Sequence, residues 1–253
     1  MTRAKPALSA RALAEAASAL SHDGEFLFTP RNLYYELIRR EVWPAPSGSP
    51  RESLIAFRRA LGDHQRAHHR LEGLIRASDA RGAVPPAHLK DVFDYSVRRV
   101  LVFDRVETFL LFAMNGFHRK IEVALLAHPD FPAHVARRLE RQLSSGLRTA
   151  FYTVHDASRS GSKLRGRTRK LLLPHGKPRL ADVGLSFAQA FRLGVPVRMG
   201  TPSPGKERGP GALEEQLLLA SGNYAHLEEL PPLALMRWVY ERISRGAEEL
   251  GFG

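Results

Sequence analysis

Three pieces of sequence between Val100 and Gly161 set the fold: VLVFDRVETFLLF (100–112), IEVALLAHPDFPAHVARRLERQL (121–143) and TAFYTVHDASRSG (149–161). Each begins with a short β-branched or aromatic apolar run and ends that run in an acid-bearing turn. The turns are Phe103-Asp104, His128-Pro129-Asp130 and His155-Asp156. The first two continue into helix-patterned sequence. Strands alternating with helices predict βαβ units around a parallel sheet buried on both faces. In open α/β sheets functional groups collect beyond the carboxyl ends of the strands, where Asp104, Asp130 and Asp156 fall. Three acidic turns at one sheet edge point to a divalent-metal site, with helix N-capping as the ordinary alternative for each.

The composition narrows the function classes. The chain has 253 residues, 43% of them hydrophobic, enough for one large domain or two modest ones. No apolar run approaches the roughly 18 residues that span a bilayer, so a soluble, cytoplasmic protein without membrane contact is expected. Met1 to Ser21 reads as an amphipathic helix rather than a signal peptide. There is no cysteine, which excludes disulfides and thiolate zinc sites. Lys+Arg number 38 against 26 Asp+Glu, a net charge of +12. Such a surplus favours a polyanionic partner, and phosphate neutralisation is the usual source of nucleic-acid affinity. An Arg-rich composition also arises from a GC-rich genome, but here the basic residues cluster.

Ahead of the sheet, the sequence is helical. Ser9–Leu20 is one short helix, and FLFTPRNLYYELIRREVW (26–43) opens another, with Thr29 as N-cap and Pro30 at the first helical position. Leu33, Tyr34, Leu37 and Ile38 form its apolar stripe, with Arg31, Arg39 and Arg40 opposite. After a Pro/Gly/Ser loop, ESLIAFRRAL and HQRAHHRLEGLIRAS predict two more helices, or a helix leading into a strand. They carry Arg58, Arg59, Arg66, Arg70 and Arg76, and the turn Ala80–Pro86 brings Arg81 to a basic tip. Three short helices and a basic, glycine-bearing turn outline a winged helix-turn-helix over residues 1–90, in which one helix enters a groove and the wing holds the backbone. Residues 98–253 form the second domain. Its densest basic run, SKLRGRTRKLLLPHGKPR (162–179), holds Lys163, Arg165, Arg167, Arg169, Lys170, Lys177 and Arg179 directly after the third acidic turn. Such a run is a solvated face or a phosphate-contacting element.

Few patterns carry chemistry by themselves. Tyr34-Tyr35 near the start of an arginine-flanked helix suits a tyrosine that attacks a DNA phosphate. Aromatics at helical spacing more often pack a core, and neighbours on a helix point about 100° apart, so one is expected in the core and the other exposed. Asp104, Asp130 and Asp156 suit Mg²⁺, a hard cation that takes carboxylate oxygens together with waters and phosphates. His64 and His68 are spaced i,i+4 like a metal pair, but no third ligand accompanies them. Phosphate-binding glycine loops and the G-x-S-x-G elbow are lacking.

Taken in order, R-x-L-Y-Y at Arg31–Tyr35, L-I-R-A-S at Leu74–Ser78 and the parallel-sheet segment resemble the topoisomerase VI A subunit and its meiotic double-strand-break relatives. Shorter bacterial Toprim proteins, including the nuclease subunit of Wadjet anti-plasmid systems, share this plan. The likeness covers roughly Phe28 to Leu185. It implies a winged helix followed by a Toprim-like, Rossmann-like parallel sheet with flanking helices. It also implies double-stranded DNA as partner, a homodimer, an ATPase partner subunit and nucleoid association. Carried over, the family's catalytic tyrosine falls on Tyr35, with Arg31 steadying the phosphate, and the first Toprim acid falls on Asp104. The second turn falls on His128-Pro129-Asp130, followed by Arg137 and Arg138, and the D-x-D-P-x-G loop falls on Asp156–Gly161. The implied Mg²⁺ ligands are Asp104 and Asp156, with Asp130, Ser158 and Arg159 beside them. Two positions depart from the family: an aspartate, Asp104, replaces the glutamate, and Ser158 replaces the second aspartate of the loop.

The expected function is therefore Mg²⁺-assisted cleavage of duplex DNA by a tyrosine nucleophile. The implied DNA contacts are Arg39, Arg40, Arg66, Arg70, Arg76, Arg81, Lys163, Arg165, Arg167, Arg169 and Lys170. The alternative is a catalytically degenerate DNA-binding subunit of a larger defence or chromosome-maintenance assembly.

Overall fold

A computed structural model of the chain describes residues 8–46, 50–68, 70–76, 98–127, 141, 144, 149–175, 179–200, 202 and 213–249. Four strands, β1 (Arg99–Phe103), β2 (Ala124–Ala127), β3 (Ala150–Val154) and β4 (Arg179–Asp182), form one parallel sheet in the order β2-β1-β3-β4. The apolar runs that suggested the strands are buried at nearly every position, as a sheet covered on both faces requires.

The period of two sorts each strand between two cores. Leu101, Phe103, Leu125, Tyr152 and Val154 face a large cluster with Phe109, Leu111, Phe112, Leu235 and Val239. Val100, Val102, Ala124, Leu126 and Phe151 face a smaller one closed by Leu164 and Leu172. The first cover comes from α4 (Val106–Met114), α5 (Phe117–Ile121), α7 (Phe187–Leu193), α8 (Leu213–Ala220) and α9 (Pro232–Glu249); the second comes from α6 (Leu164–Leu172). This split follows from handedness. The β1→β2 and β3→β4 crossovers run in opposite directions along the sheet, so right-handed connections put their helices on opposite faces. The strand order therefore reverses between β1 and β3, and a crevice opens beyond their carboxyl ends.

The N-terminal helices are α1 (Ala10–Ser21), α2 (Pro30–Arg39) and α3 (Pro50–Ala67), around a separate core of Leu13, Phe28, Leu33, Tyr34, Leu37, Trp43 and Phe57. The sequence 50–67 forms one continuous helix, because the single Gly62 in its middle costs only about 1 kcal/mol. The chain then returns beside Phe28, where Phe28 and Leu74 pair as an isolated parallel bridge. The basic turn Ala80–Pro86, with Arg81, lies outside the described residues, as do Asp130, Arg137, Arg138 and Lys177.

Candidate functional site: a basic cleft over a buried acid-histidine cluster

Helix α2 begins where the sequence places it. Thr29 Oγ1 accepts from the Asn32 backbone N–H at 3.2 Å, and Asn32 Oδ1 accepts from the Thr29 N–H at 3.0 Å. The same Asn32 side chain donates to the carbonyls of Glu228 (3.0 Å) and Leu230 (3.3 Å). Arg39 adds a bond to the Glu229 carbonyl at 2.6 Å. These bonds fasten the N-terminal helices to the segment His226–Leu230, which in turn lies over the sheet's carboxyl edge. On the far side, Asn115 Oδ1 accepts from the Leu27 N–H at 2.8 Å.

Adjacent parallel strands bring Asp104 and Asp156 to the same edge, since Phe103 pairs with Val154 and the Asp104 N–H donates to the Val154 carbonyl. Their environments then diverge. Asp156 is fully buried; it accepts from the Leu227 N–H at 2.8 Å and from Arg105 Nε at 2.5 Å, and its Oδ2 lies 2.7 Å from His226 Nδ1. Burial alone would raise its pKa, but the Arg105 guanidinium and His226 outweigh burial and hold the carboxyl well below the usual range. For Asp104, burial and then the Asp156 charge push the carboxyl up to about 7, and its Oδ1 has no hydrogen-bond partner among the described residues.

The residues grouped to hold a cation are Asp156, His226 and Glu228, whose ligand atoms lie within 4.8 Å of one another. Asp156 belongs to the set expected from sequence. Asp104, the other expected ligand, is not one of the three, and His226 and Glu228 take part from a segment 70 residues downstream. Ser158, at the altered loop position, is committed to the turn itself: its Oγ accepts from the Gly161 N–H at 3.1 Å and lies 3.2 Å from Ser160 Oγ.

Both tyrosines are buried, which corrects the expectation that one would be exposed. Tyr34 is 2% exposed and Tyr35 4%. Tyr34 points into the helical core and donates to Ser53 Oγ at 2.9 Å. Tyr35 points toward the seam, where segment 222–230 covers what would have been the solvent side of α2. Its ring lies 5.9 Å from that of His226, and the Arg198 guanidinium stacks 5.4 Å above it. Arg198 is fixed there by two bonds to the buried Glu229, at 3.0 and 2.9 Å. Burial first, and then Glu229, raises the Tyr35 phenol pKa.

Above this cluster is a cleft of about 960 Å³ between the N-terminal helices and the sheet edge. Arg31, Arg51, Arg58, Arg105, Arg159, Lys163 and Arg167 line it, along with Tyr35, Glu107, Ser158, Tyr224 and His226. Glu107 sits between two of the cations, 3.1 Å from Arg31 Nε and also bonded to Arg58. Burial pushes the Tyr224 phenol up to about 12.

The remaining basic residues are distributed elsewhere. Arg39 and Arg40 both pair with the buried Glu36, and Arg66 pairs with Asp63. In α6 Leu164, Thr168 and Leu172 are buried, while Arg165, Arg169 and Lys170 are exposed away from the cleft lining. Arg70 lines a separate small cavity with Leu27 and Met114, and Arg76 follows the Leu74 bridge. Arg51, Arg58 and Arg105 were missed as site residues. The signal available for the missed cluster was the i,i+2 pair His226-x-Glu228, which is too short a pattern to stand out. No helix among the described residues is long and apolar enough to cross a membrane.

No family model matches the chain, and neither does any curated protein or solved structure.

Proposed function

We propose that this chain binds duplex DNA along the basic cleft and cleaves it through Tyr35, in the manner of the topoisomerase VI A subunit that its sequence resembles. In this reading residues 1–90 act as the winged-helix domain and residues 98–253 as the Toprim-like domain. The observation that carries it is the placement of Tyr35 beside the Asp156–His226–Glu228 cluster at the floor of a cleft walled by seven cations. A polyphosphate strand fits such a wall, because each neutralised phosphate releases counterions, and planar arginines grip phosphate oxygens in pairs.

The roles follow from position. Arg31 and Arg58, poised on Glu107, hold the phosphate. The Tyr35 hydroxyl is the nucleophile: its oxygen bonds to phosphorus, the phosphorus–oxygen bond to the sugar breaks, and the phenol proton ends on the departing sugar hydroxyl. Burial, and then the carboxylates of Glu229, Glu228 and Asp156, oppose the ionisation of Tyr35, so the phenol is neutral at rest. The orphaned oxygens of Asp104 and Glu228 and the three-ligand cluster fit a divalent cation. When bound, a cation there would offset those negative charges and polarise the phosphate. Cutting both strands takes two such sites, hence a homodimer.

A second reading, a degenerate DNA-binding subunit, is favoured by one feature. Arg105 already neutralises Asp156, and Ser158 supplies no carboxylate to the site. Plasmid cleavage separates the two. Supercoiled plasmid is incubated with the protein and Mg²⁺ or Mn²⁺, quenched in denaturing detergent and resolved with and without protease. The cleavage reading expects protein-linked broken DNA that disappears in Tyr35→Phe; retarded but uncut plasmid overturns it in favour of the second reading.

A further inference from the structure

The cluster below Tyr35 contains a nitrogen donor. Asp156 and Glu228 offer carboxylate oxygens and His226 offers a ring nitrogen. Mg²⁺ selects oxygen ligands and keeps most of its water, whereas imidazole suits the transition metals. We infer that Asp156, His226 and Glu228 take a first-row transition-metal dication in preference to Mg²⁺, and that Arg105 occupies the place of its charge until it binds.

An independent observation points to a missing partner. Glu228 is 1% exposed; one oxygen accepts from Thr108 Oγ1 at 2.6 Å, but Oε2 has no partner among the described residues. A buried carboxylate oxygen left bare keeps its desolvation cost uncompensated, and the cost is larger when the group is charged. The dimensions fit as well. Two ligands about 2.1 Å from an ion stand at most about 4.2 Å apart, and the three ligand atoms lie within 4.8 Å of one another, so an outermost pair that ends on opposite sides of the ion approaches by no more than about 0.6 Å.

Arg105 meets two of the three ligands, with Nε on Asp156 and Nη2 3.3 Å from His226 Nδ1. A metal that takes Asp156 Oδ2 and His226 Nδ1 competes with the guanidinium for these two atoms and displaces the arginine. It also lines the cleft, where a phosphate would receive it. Metal and DNA affinities are therefore coupled, each raising the other by the same factor. Only this coupling rests on the DNA-binding reading.

The test is a Co²⁺ titration of the full, untagged chain, followed by visible d–d absorption. One Co²⁺ should bind per chain, with Zn²⁺ displacing it and a roughly hundredfold excess of Mg²⁺ failing to. Glu228→Gln keeps the acceptor for Thr108 and should weaken Co²⁺ by about tenfold or more. Arg105→Met should tighten it by a similar factor; should that variant fail to fold, adding duplex DNA to the parent chain must produce the tightening instead. Displacement of Co²⁺ by equimolar Mg²⁺, or Glu228→Gln binding like the parent, overturns the metal assignment. An unchanged affinity both in Arg105→Met and with DNA overturns the role of Arg105. Gel retardation of DNA in EDTA reads the cleft separately, so a failed metal site and a failed DNA site are told apart.

Discussion

The rings of Tyr35 and His226 stand 5.9 Å apart across the seam between the N-terminal helices and the sheet edge. Neither residue is near the other in sequence, and the seam is held by bonds from Asn32 and Arg39 to the backbone of 228–230. This arrangement makes the tyrosine both a wall of the cleft and part of the packing. Its two roles are separable: Tyr35→Phe keeps the ring and should shift unfolding by less than about 1.5 kcal/mol while abolishing any covalent DNA link. Tyr35→Ala should cost about 3–5 kcal/mol. Urea midpoints of the two variants give the comparison.

Asn32 is the hinge pin of the seam. Replacing it with alanine removes half of the α2 capping box and leaves the Glu228 and Leu230 carbonyls unpaired. The expected loss is about 2–4 kcal/mol, read from chemical denaturation, and Asn32→Asp should not restore it because a carboxylate faces those carbonyls without a donor.

Gly161 closes the loop that holds Asp156. A Cβ there would lie 2.2 Å from the Asp156 carbonyl oxygen and 3.0 Å from His155 Nδ1. Gly161→Ala should therefore destabilise by about 1–3 kcal/mol. In Gly166→Ala, on an open face of α6, nothing lies within 4 Å of the new Cβ, and a gain of up to about 1 kcal/mol is expected. Opposite signs in thermal melts are the outcome to look for.

The pH dependence follows from His155. Burial works against its charge, but Asp182, 3.0 Å from Nε2, and the Asp156 carbonyl outweigh it and raise the pKa from 6.5 to about 9. A histidine shifted upward stabilises while protonated, so its contribution is full below pH 6.5 and fades as pH rises through 9. The loss is at most about 3 kcal/mol. Asp104, shifted up to about 7, acts in the same direction at lower pH, between about 4 and 7. Denaturation midpoints should fall from pH 6.5 to 9 in the parent chain and stay flatter in His155→Gln.

For the cleft, the measurement is salt dependence. Replacing Arg51, Arg159 or Lys163 by glutamine should lower the slope of log K against log salt for duplex DNA by about 0.9 per lost phosphate contact. Arg40→Gln, paired with Glu36, serves as the control that leaves the slope unchanged.

The sequence by itself determined the parallel sheet, because strands buried on both faces read as continuous apolar runs and the period of two divides them without reference to any partner. It also determined the α2 start, since Thr29, Pro30 and Asn32 act within one turn of the chain. Asp104 and Asp156 were legible as edge residues for the same local reason. What only the tertiary structure decided is which groups meet there. His226, Glu228, Arg105 and the inward turn of Tyr35 come from distant segments (Asn32 and Glu228 are 196 residues apart), and no local pattern records such a meeting. The charge of Asp104 and Asp156 was likewise set by burial, by Arg105 and His226 beside Asp156, and by the Asp156 charge beside Asp104, which are properties of the folded surroundings and not of the isolated side chains.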